Sequence, residues 1–437
     1  MQHFSRLPLT CALAACCAFN AQAQNLVQLY EAALAYDATY QSAKSQYQAN
    51  LARAEQAKAG LLPTAALTAS ASLAQSDTTR PSASRTPIGQ NVGLSGTYPL
   101  YRPANLITAQ QGIKQADLAQ TVLSTAEQDL IVRVSQAYFD VLASKDSLAF
   151  VLAQKAAVAE QLASAKRNFE VGTSTITDTR EAQARFDLVT AQEIAAENDL
   201  RVKKIALDQL VGKANSEPKP VALPLPLPPL LPNDVNQWVS QSEQDHPSIK
   251  AAALNLEVAE LETRKARAAE KPTVDATAGY SINRTTNLGP LTSRTNNTSV
   301  GVAMNYPLFT GYLTQNRIKE TLLLEDKARN DLEGAKRGIA QATRVAYFGV
   351  LSGQGQVKAL EAAESSSQSA LDANKLGYQV GVRINIDVLN SQSQLFQTKR
   401  DLAKARYDVL VGGLRLRQAN GTLTADGLQQ VNNLLSK

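Results

Sequence analysis

Along most of the chain the apolar and small positions recur every three or four residues. One run reads Leu130, Val134, Ala137, Val141, Ser144, Leu148, Val151, Lys155, Val158, Leu162, Ala165 and Phe169, a heptad-like seam. Such a seam predicts a long helix that packs along its length in coiled-coil fashion. An earlier tract repeats the habit with Leu26, Leu29, Ala33, Tyr36, Tyr40, Ala43 and Tyr47, and is expected to be a helix of the same kind. No proline occurs between Pro103 and Pro218 or after Pro307, so two tracts lack that helix breaker. From Leu106 to Phe169 the only glycine is Gly112. A helix over that span is roughly 100 Å long at 1.5 Å per residue.

The period changes to two in four places. Ala65, Leu67, Ala69, Ala71 and Leu73 alternate with Thr64, Ala66, Thr68, Ser70 and Ser72. Val274, Ala276, Ala278, Tyr280 and Ile282 alternate with Thr273, Asp275, Thr277, Gly279, Ser281 and Asn283, and Val300, Val302, Met304 and Tyr306 with Ser299, Gly301, Ala303 and Asn305. Strands are expected at about 63–75, 90–99, 273–284 and 298–307, in two hairpins closed by polar segments that read as exposed loops. Alternation over about ten residues suits either a transmembrane β-strand or a soluble sheet with one wet face. Four strands are too few to close a barrel, for which about eight is the practical minimum, so closure requires several chains; three copies supply twelve.

The chain is duplicated. Pro63-Thr64 returns as Pro272-Thr273, Ala137-Tyr138-Phe139 as Ala346-Tyr347-Phe348, Gly172 as Gly381 and Asp178 as Asp387, each at a spacing of 209. The predicted organisation is a first helix–hairpin–helix repeat over 24–216, a proline-rich extended linker over 217–233 and a second repeat over 234–437. Before these, residues 1–23 read as a signal peptide, with Arg6, an apolar run from Leu7 to Phe19 and a small-x-small site ending at Ala23. Acylation at Cys16 is the competing reading of the same leader.

Composition narrows the chemistry. Cys11, Cys16 and Cys17 all fall in the leader, so the rest of the chain offers no disulfide, thiolate nucleophile or thiolate metal site. His246, beside Pro247, reads as a solvated residue at a helix start. The net charge is +5, or +4 without Arg6, and no basic run points to nucleic acid. No P-loop, zinc-ligand spacing, nucleophile elbow or dinucleotide glycine motif is present, so neither an enzyme nor a cofactor is expected. Glu361 and Glu364 read as a solvated helix face.

Two echoes remain, VGTSTITDTREA at 171–182 and VGVRINIDVLNS at 380–391. Gly172 and Gly381 suit the left-handed turn that ends a helix, and Asp178 and Asp387 fall near the start of the next, where a carboxylate meets the positive end of the helix dipole. With the duplicated layout and the paired Ala-Tyr-Phe motifs, these turns make the chain resemble the TolC family of outer-membrane channel proteins, from QNLVQLYEAAL to the C-terminus.

The resemblance implies a mainly α chain with transmembrane β. Long coiled-coil-like helices would form a trimeric α-barrel through the periplasm, and four strands per chain a 12-stranded β-barrel in the outer membrane. Function would be that of a passive exit duct in a tripartite efflux pump or type I secretion system of a Gram-negative bacterium. Implied partners are two further copies, outer-membrane lipid, a periplasmic adaptor and an inner-membrane transporter. By likeness, Val171, Gly172, Thr173, Val380, Gly381 and Val382 match the adaptor-docking turns; Asp387 matches a pore-facing aspartate of the closed entrance; and Asp178, Tyr378 and Arg383 match the latch that holds it shut. The chain departs from the pattern at Asn390, where a second acidic ring is expected, and at Lys375, where an acid faces Gln161. The competing readings are a general porin and a trimeric coiled-coil surface stalk.

Overall fold

The structure, a computed structural model, describes residues 24–79, 82–85, 87–222, 225–286 and 293–435. The leader, with Cys16 and the cleavage site at Ala23, lies outside them, as do parts of the two segments that close the hairpins. The elements run α1 (Leu26–Tyr36), α2 (Ala38–Ala59), β1 (Thr64–Leu73), β2 (Ser76–Thr79), β3 (Ser82–Arg85), β4 (Ile88–Tyr101), α3 (Pro103–Glu170), α4 (Ile176–Val211), α5 (Val235–Asp245), α6 (Pro247–Ala268), β5 (Thr273–Thr286), β6 (Ser293–Asn305), α7 (Leu313–Gln379), α8 (Asn385–Ala419) and α9 (Ala425–Asn432). They form two compact units. Among the described residues, one comprises those up to Gln41, Ala126–Ser242 and those from Gln341 on; the other comprises those within Ser42–Thr125 and Glu243–Ala340, so each takes part of both sequence halves.

The second unit carries a four-stranded antiparallel sheet in the order β1-β4-β5-β6. Its register aligns the alternation across the strands. Leu67 lies opposite Leu94 and Leu94 opposite Tyr280, while Ala69, Val92 and Ile282 form the next row. The intervening row is polar or small, with Thr68, Gly93, Ser281 and Asn297. Every residue of β1 and β6 is exposed, and Leu67 and Val300 expose 74% and 85% of their surface. A soluble sheet with one wet face buries the other, and in these two strands neither face is buried. Among the described residues neither strand has a partner along its outer edge. The expected loops are partly strand: β2 and β3 pair as a short hairpin, β5 reaches Thr286, and β6 begins at Ser293 rather than near 298. Polar residues such as Arg294, Thr295 and Asn297 continue the ladder because strand pairing uses backbone groups, whatever the side chain.

Beneath the sheet Glu262 on α6 gathers three donors, Gln111 Nε2, Lys265 Nζ and Arg317 Nη2, each at 2.9 Å. They join α6 to α3 and α7. Gly112 sits where α3 meets α2: a Cβ there would fall 2.8 Å from that of Ala57.

In the first unit the α3 seam is buried at Leu130, Val134, Val141, Ser144, Val151, Val158, Leu162 and Ala165, whereas Phe169 at its end is exposed. Its far half packs on Ala182 and Val189 of α4 and Leu389 of α8. The early tract is not one helix. It breaks at Asp37, which is 8% exposed, bonds both oxygens to Arg133 at 2.9 and 3.0 Å and accepts from Tyr40 N at 2.8 Å. A carboxylate that caps α2 and pairs with a neighbouring helix outweighs the helical propensity around it. The repeated tyrosines tether the two ends of the linker: Tyr138 donates to Lys219 O at 2.7 Å, and Tyr347 to Asn233 Oδ1 at 3.1 Å. His246 is a correction. It does start a helix, accepting from Ser248 N at 3.1 Å, but it is 9% exposed rather than solvated, and burial pushes its imidazole below the usual value.

Candidate channel gate

The two echoes fold into turns built alike. Gly172 has φ +79° and Gly381 φ +77°. In the first, Gly172 N bonds Phe169 O at 3.0 Å and Thr173 N bonds Asn168 O at 2.8 Å; in the second, Gly381 N bonds Tyr378 O at 3.2 Å and Val382 N bonds Gly377 O at 2.8 Å. This is the Schellman arrangement, in which a left-handed residue lets the last helical carbonyls find donors. Nothing lies within 4 Å of where a Cβ on either glycine would sit, so glycine serves the backbone angle and not close packing. Val171, Val380 and Val382 on these turns expose 73%, 65% and 77% of their surface.

After the turns the halves diverge. Asp178 accepts from Thr175 N at 3.0 Å, Thr175 Oγ1 at 2.8 Å and Ser174 Oγ at 2.7 Å, while its own N–H bonds Thr175 Oγ1 at 3.2 Å. It completes a capping box on α4. Partial burial works to raise this carboxyl, but the bonds from Ser174 and Thr175 outweigh that and hold it below the usual range. In the second half Arg383 and Ile384 stand in the places of Ser174 and Thr175, and α8 starts with no side-chain cap. Asp387 is thereby left free of the cap, and among the described residues it pairs with Arg383, at 3.7 Å. A pair that long and that exposed is weak.

The structure does not join the expected latch residues to one another. Asp178 is held by its cap and Arg383 faces Asp387, while Tyr378 Oη accepts from Asn168 Nδ2 at 3.2 Å. Lys375 makes no ion pair among the described residues, and Gln161 turns instead to Asn385 Oδ1. Asn385, 1% exposed, donates onward to Asp178 O at 3.4 Å. Asn390 accepts from Arg185 Nη2 at 2.7 Å. Three polar links therefore tie the first half of the chain to the second beside the turns: Asn168–Tyr378, Gln161–Asn385–Asp178 and Arg185–Asn390. Asn168, Asn385 and Arg185 were missed in the sequence. An Asn at the first position of a helix reads as a cap, and its 209-residue counterpart, Ile176, is exposed, so the repeat carries no signal that Asn385 is buried.

The lengthwise helices, the register-matched sheet with an apolar face open to its surroundings, and the paired glycine turns define an outer-membrane channel. The chain belongs to the outer membrane efflux protein family, which it matches over residues 29–213 and 238–422, once in each half. It is 32% identical over 413 residues to the outer membrane protein TolC of Vibrio cholerae, covering 94% of this chain and 93% of that one. With the alkaline protease secretion protein AprF of Pseudomonas aeruginosa it shares 28% identity, over 94% of this chain and 87% of the relative. Among solved structures, the outer membrane protein VceC of V. cholerae superposes with a TM-score of 0.75 at 19% identity, covering 91% of this chain and 96% of the other. The chain is thus an outer-membrane efflux and secretion channel.

Proposed function

We propose that three copies of this chain complete one duct, the outer-membrane exit of a tripartite efflux pump or type I secretion system. The observation that carries this reading is the sheet. Among the described residues it has two unpaired edges and an apolar face that nothing covers, and four strands cannot close on themselves. Pairing β6 of each copy with β1 of the next satisfies both edges, gives a 12-stranded barrel and leaves the apolar rows to lipid. The likeness to TolC and to AprF supports export as the task.

A periplasmic adaptor, itself bound to an inner-membrane transporter, docks on Val171, Gly172 and Thr173 and on Val380, Gly381 and Val382; the three exposed valines there offer apolar contact. Asp387 and Asn390, with one acid between them, line a narrow ring of reduced negative charge in the trimer. Arg383, Tyr378 and Asp178 oppose the movement of α8 until the partner docks. The links found within one chain add Asn168, Asn385 and Arg185 to that restraint.

Cysteine pairing across the edges tests the assembly, since all the chain's cysteines precede residue 24. Thr68→Cys combined in turn with Asn297→Cys, Ser299→Cys and Gly301→Cys is expected to give, for one combination, a cross-linked ladder that stops at three chains. Monomers only in every combination, or a ladder stopping elsewhere, contradicts the reading.

A further inference from the structure

Beside Asn390 lies a cleft of about 400 Å³ between α3, α4 and α8. Its charged lining is wholly basic: Arg185 and Arg400, set among Gln154, Gln192, Gln394 and Gln397, with no carboxylate on its wall. Helical spacing puts these groups together, since Arg185 and Gln192 are seven residues apart on α4, and Asn390, Ser393, Gln394 and Gln397 share one face of α8. Both guanidiniums bond only neutral oxygens. Arg185 reaches Asn390 Oδ1, and Arg400 reaches Gln154 Oε1 at 3.2 Å and Gln397 Oε1 at 2.7 Å. Neither makes an ion pair among the described residues, whereas Arg133 pairs with Asp37 and Arg406 with Glu361.

Two cations held near each other in a partly buried cleft repel one another, and each carries donors that neutral amides satisfy only in part. Burial also pulls the Arg400 guanidinium below its ordinary value, with Asp401 opposing. An anion would complement such a lining. A second unmet group narrows its chemistry: Gln192 Oε1 is buried and has no hydrogen-bond partner. A ligand that satisfies the whole lining accepts from guanidinium and donates to a carbonyl oxygen. Carboxylates and sulfate at neutral pH only accept, whereas phosphate accepts through its charged oxygens and keeps a hydroxyl to donate.

We infer that the cleft between Arg185, Arg400 and Gln192 is a phosphate site, one per chain, which bridges α4 to α8. Bound there, phosphate would form charge-assisted hydrogen bonds to both helices, alongside the Arg185–Asn390 link. The inference is about binding and stands whether or not the entrance is gated as proposed above.

Isothermal titration of the purified full-length protein tests it, with inorganic phosphate, sulfate and chloride compared at constant ionic strength. The expected result is saturable phosphate binding at one per chain, weakened about tenfold by either Arg185→Gln or Arg400→Gln, as for loss of a charge-assisted hydrogen bond. Sulfate should bind more weakly than phosphate, and Gln192→Leu should erase that difference. Absence of saturable phosphate heat in the wild type overturns the site without reference to any variant's folding. So does phosphate binding that both arginine substitutions leave unchanged, or sulfate binding as tight as phosphate. If instead a carboxylate of a second copy fills the cleft, wild-type protein takes up no phosphate and the arginine variants lose their oligomeric state, which also overturns it.

Discussion

At the scale of single residues, the two halves show how two differences at equivalent positions redirect a shared geometry within the same chain. Asp178 and Asp387 are equivalent by repeat, yet the first is consumed by Thr175 and Ser174 while the second is released by Ile384 and Arg383. Ile384→Thr should rebuild the missing box and draw Asp387 onto the start of α8. Thermal unfolding should then show a gain of about 0.5–1 kcal/mol, the usual worth of an N-cap. Block of the channel by polyvalent cations should weaken at the same time; unchanged block alongside the gain in stability would show that Asp387 does not face the ions. Gly381→Ala meets no steric neighbour, so its cost should be confined to the left-handed backbone, about 1–2 kcal/mol in the same unfolding assay. The glycines and their φ were legible in the Val-Gly spacing. The different duties of the two aspartates were legible too, in Ser-Thr against Arg-Ile, although the echo of the motifs drew attention to what matched rather than to what did not.

At the scale of elements, periodicity carried most of the information. The four-three seam gave α3, and the two-residue alternation placed β1, β4, β5 and β6, because burial or lipid exposure of one face is what selects such patterns. What the pattern could not give was any feature decided by a partner distant in sequence. The break at Asp37 depends on Arg133, and the polar extension of β6 depends on the backbone of β5. Glu262 is another such case, with a distinct pH signature. Burial works to raise its carboxyl, but bonds from Gln111, Lys265 and Arg317 prevail and lower it from an ordinary 4.5 to about 2. Because the folded value is depressed, the contribution to stability is complete above 4.5 and is lost as pH falls toward about 2. Glu262→Gln should therefore be less stable than wild type at pH 6, and the gap should narrow between pH 4.5 and 2 when melting is followed by circular dichroism. A gap independent of pH would show that the carboxylate charge is not what joins α3, α6 and α7.

At the scale of the whole molecule, duplication was visible as a fixed spacing of 209 residues, and the family match falls once on each half. The compact units follow another division, each drawing on both halves, because α3 and α7 are long enough to contribute to each. Closure of the sheet lies beyond a single chain, and so does the ring that Asp387 and Asn390 would form. The most direct test of the central claim, a duct gated beside the glycine turns, is single-channel conductance in planar bilayers, comparing wild type with Asp387→Ala and Arg383→Ser while polyvalent cations are added on the side of the turns. A gated duct predicts a small, cation-selective conductance that these ions block, block lost in Asp387→Ala, and a larger conductance in Arg383→Ser. If Arg383 only shields Asp387, block strengthens in Arg383→Ser while conductance stays small, and the latch is wrong. No channel at all, or a large one that ignores the ions and both substitutions, would contradict the account.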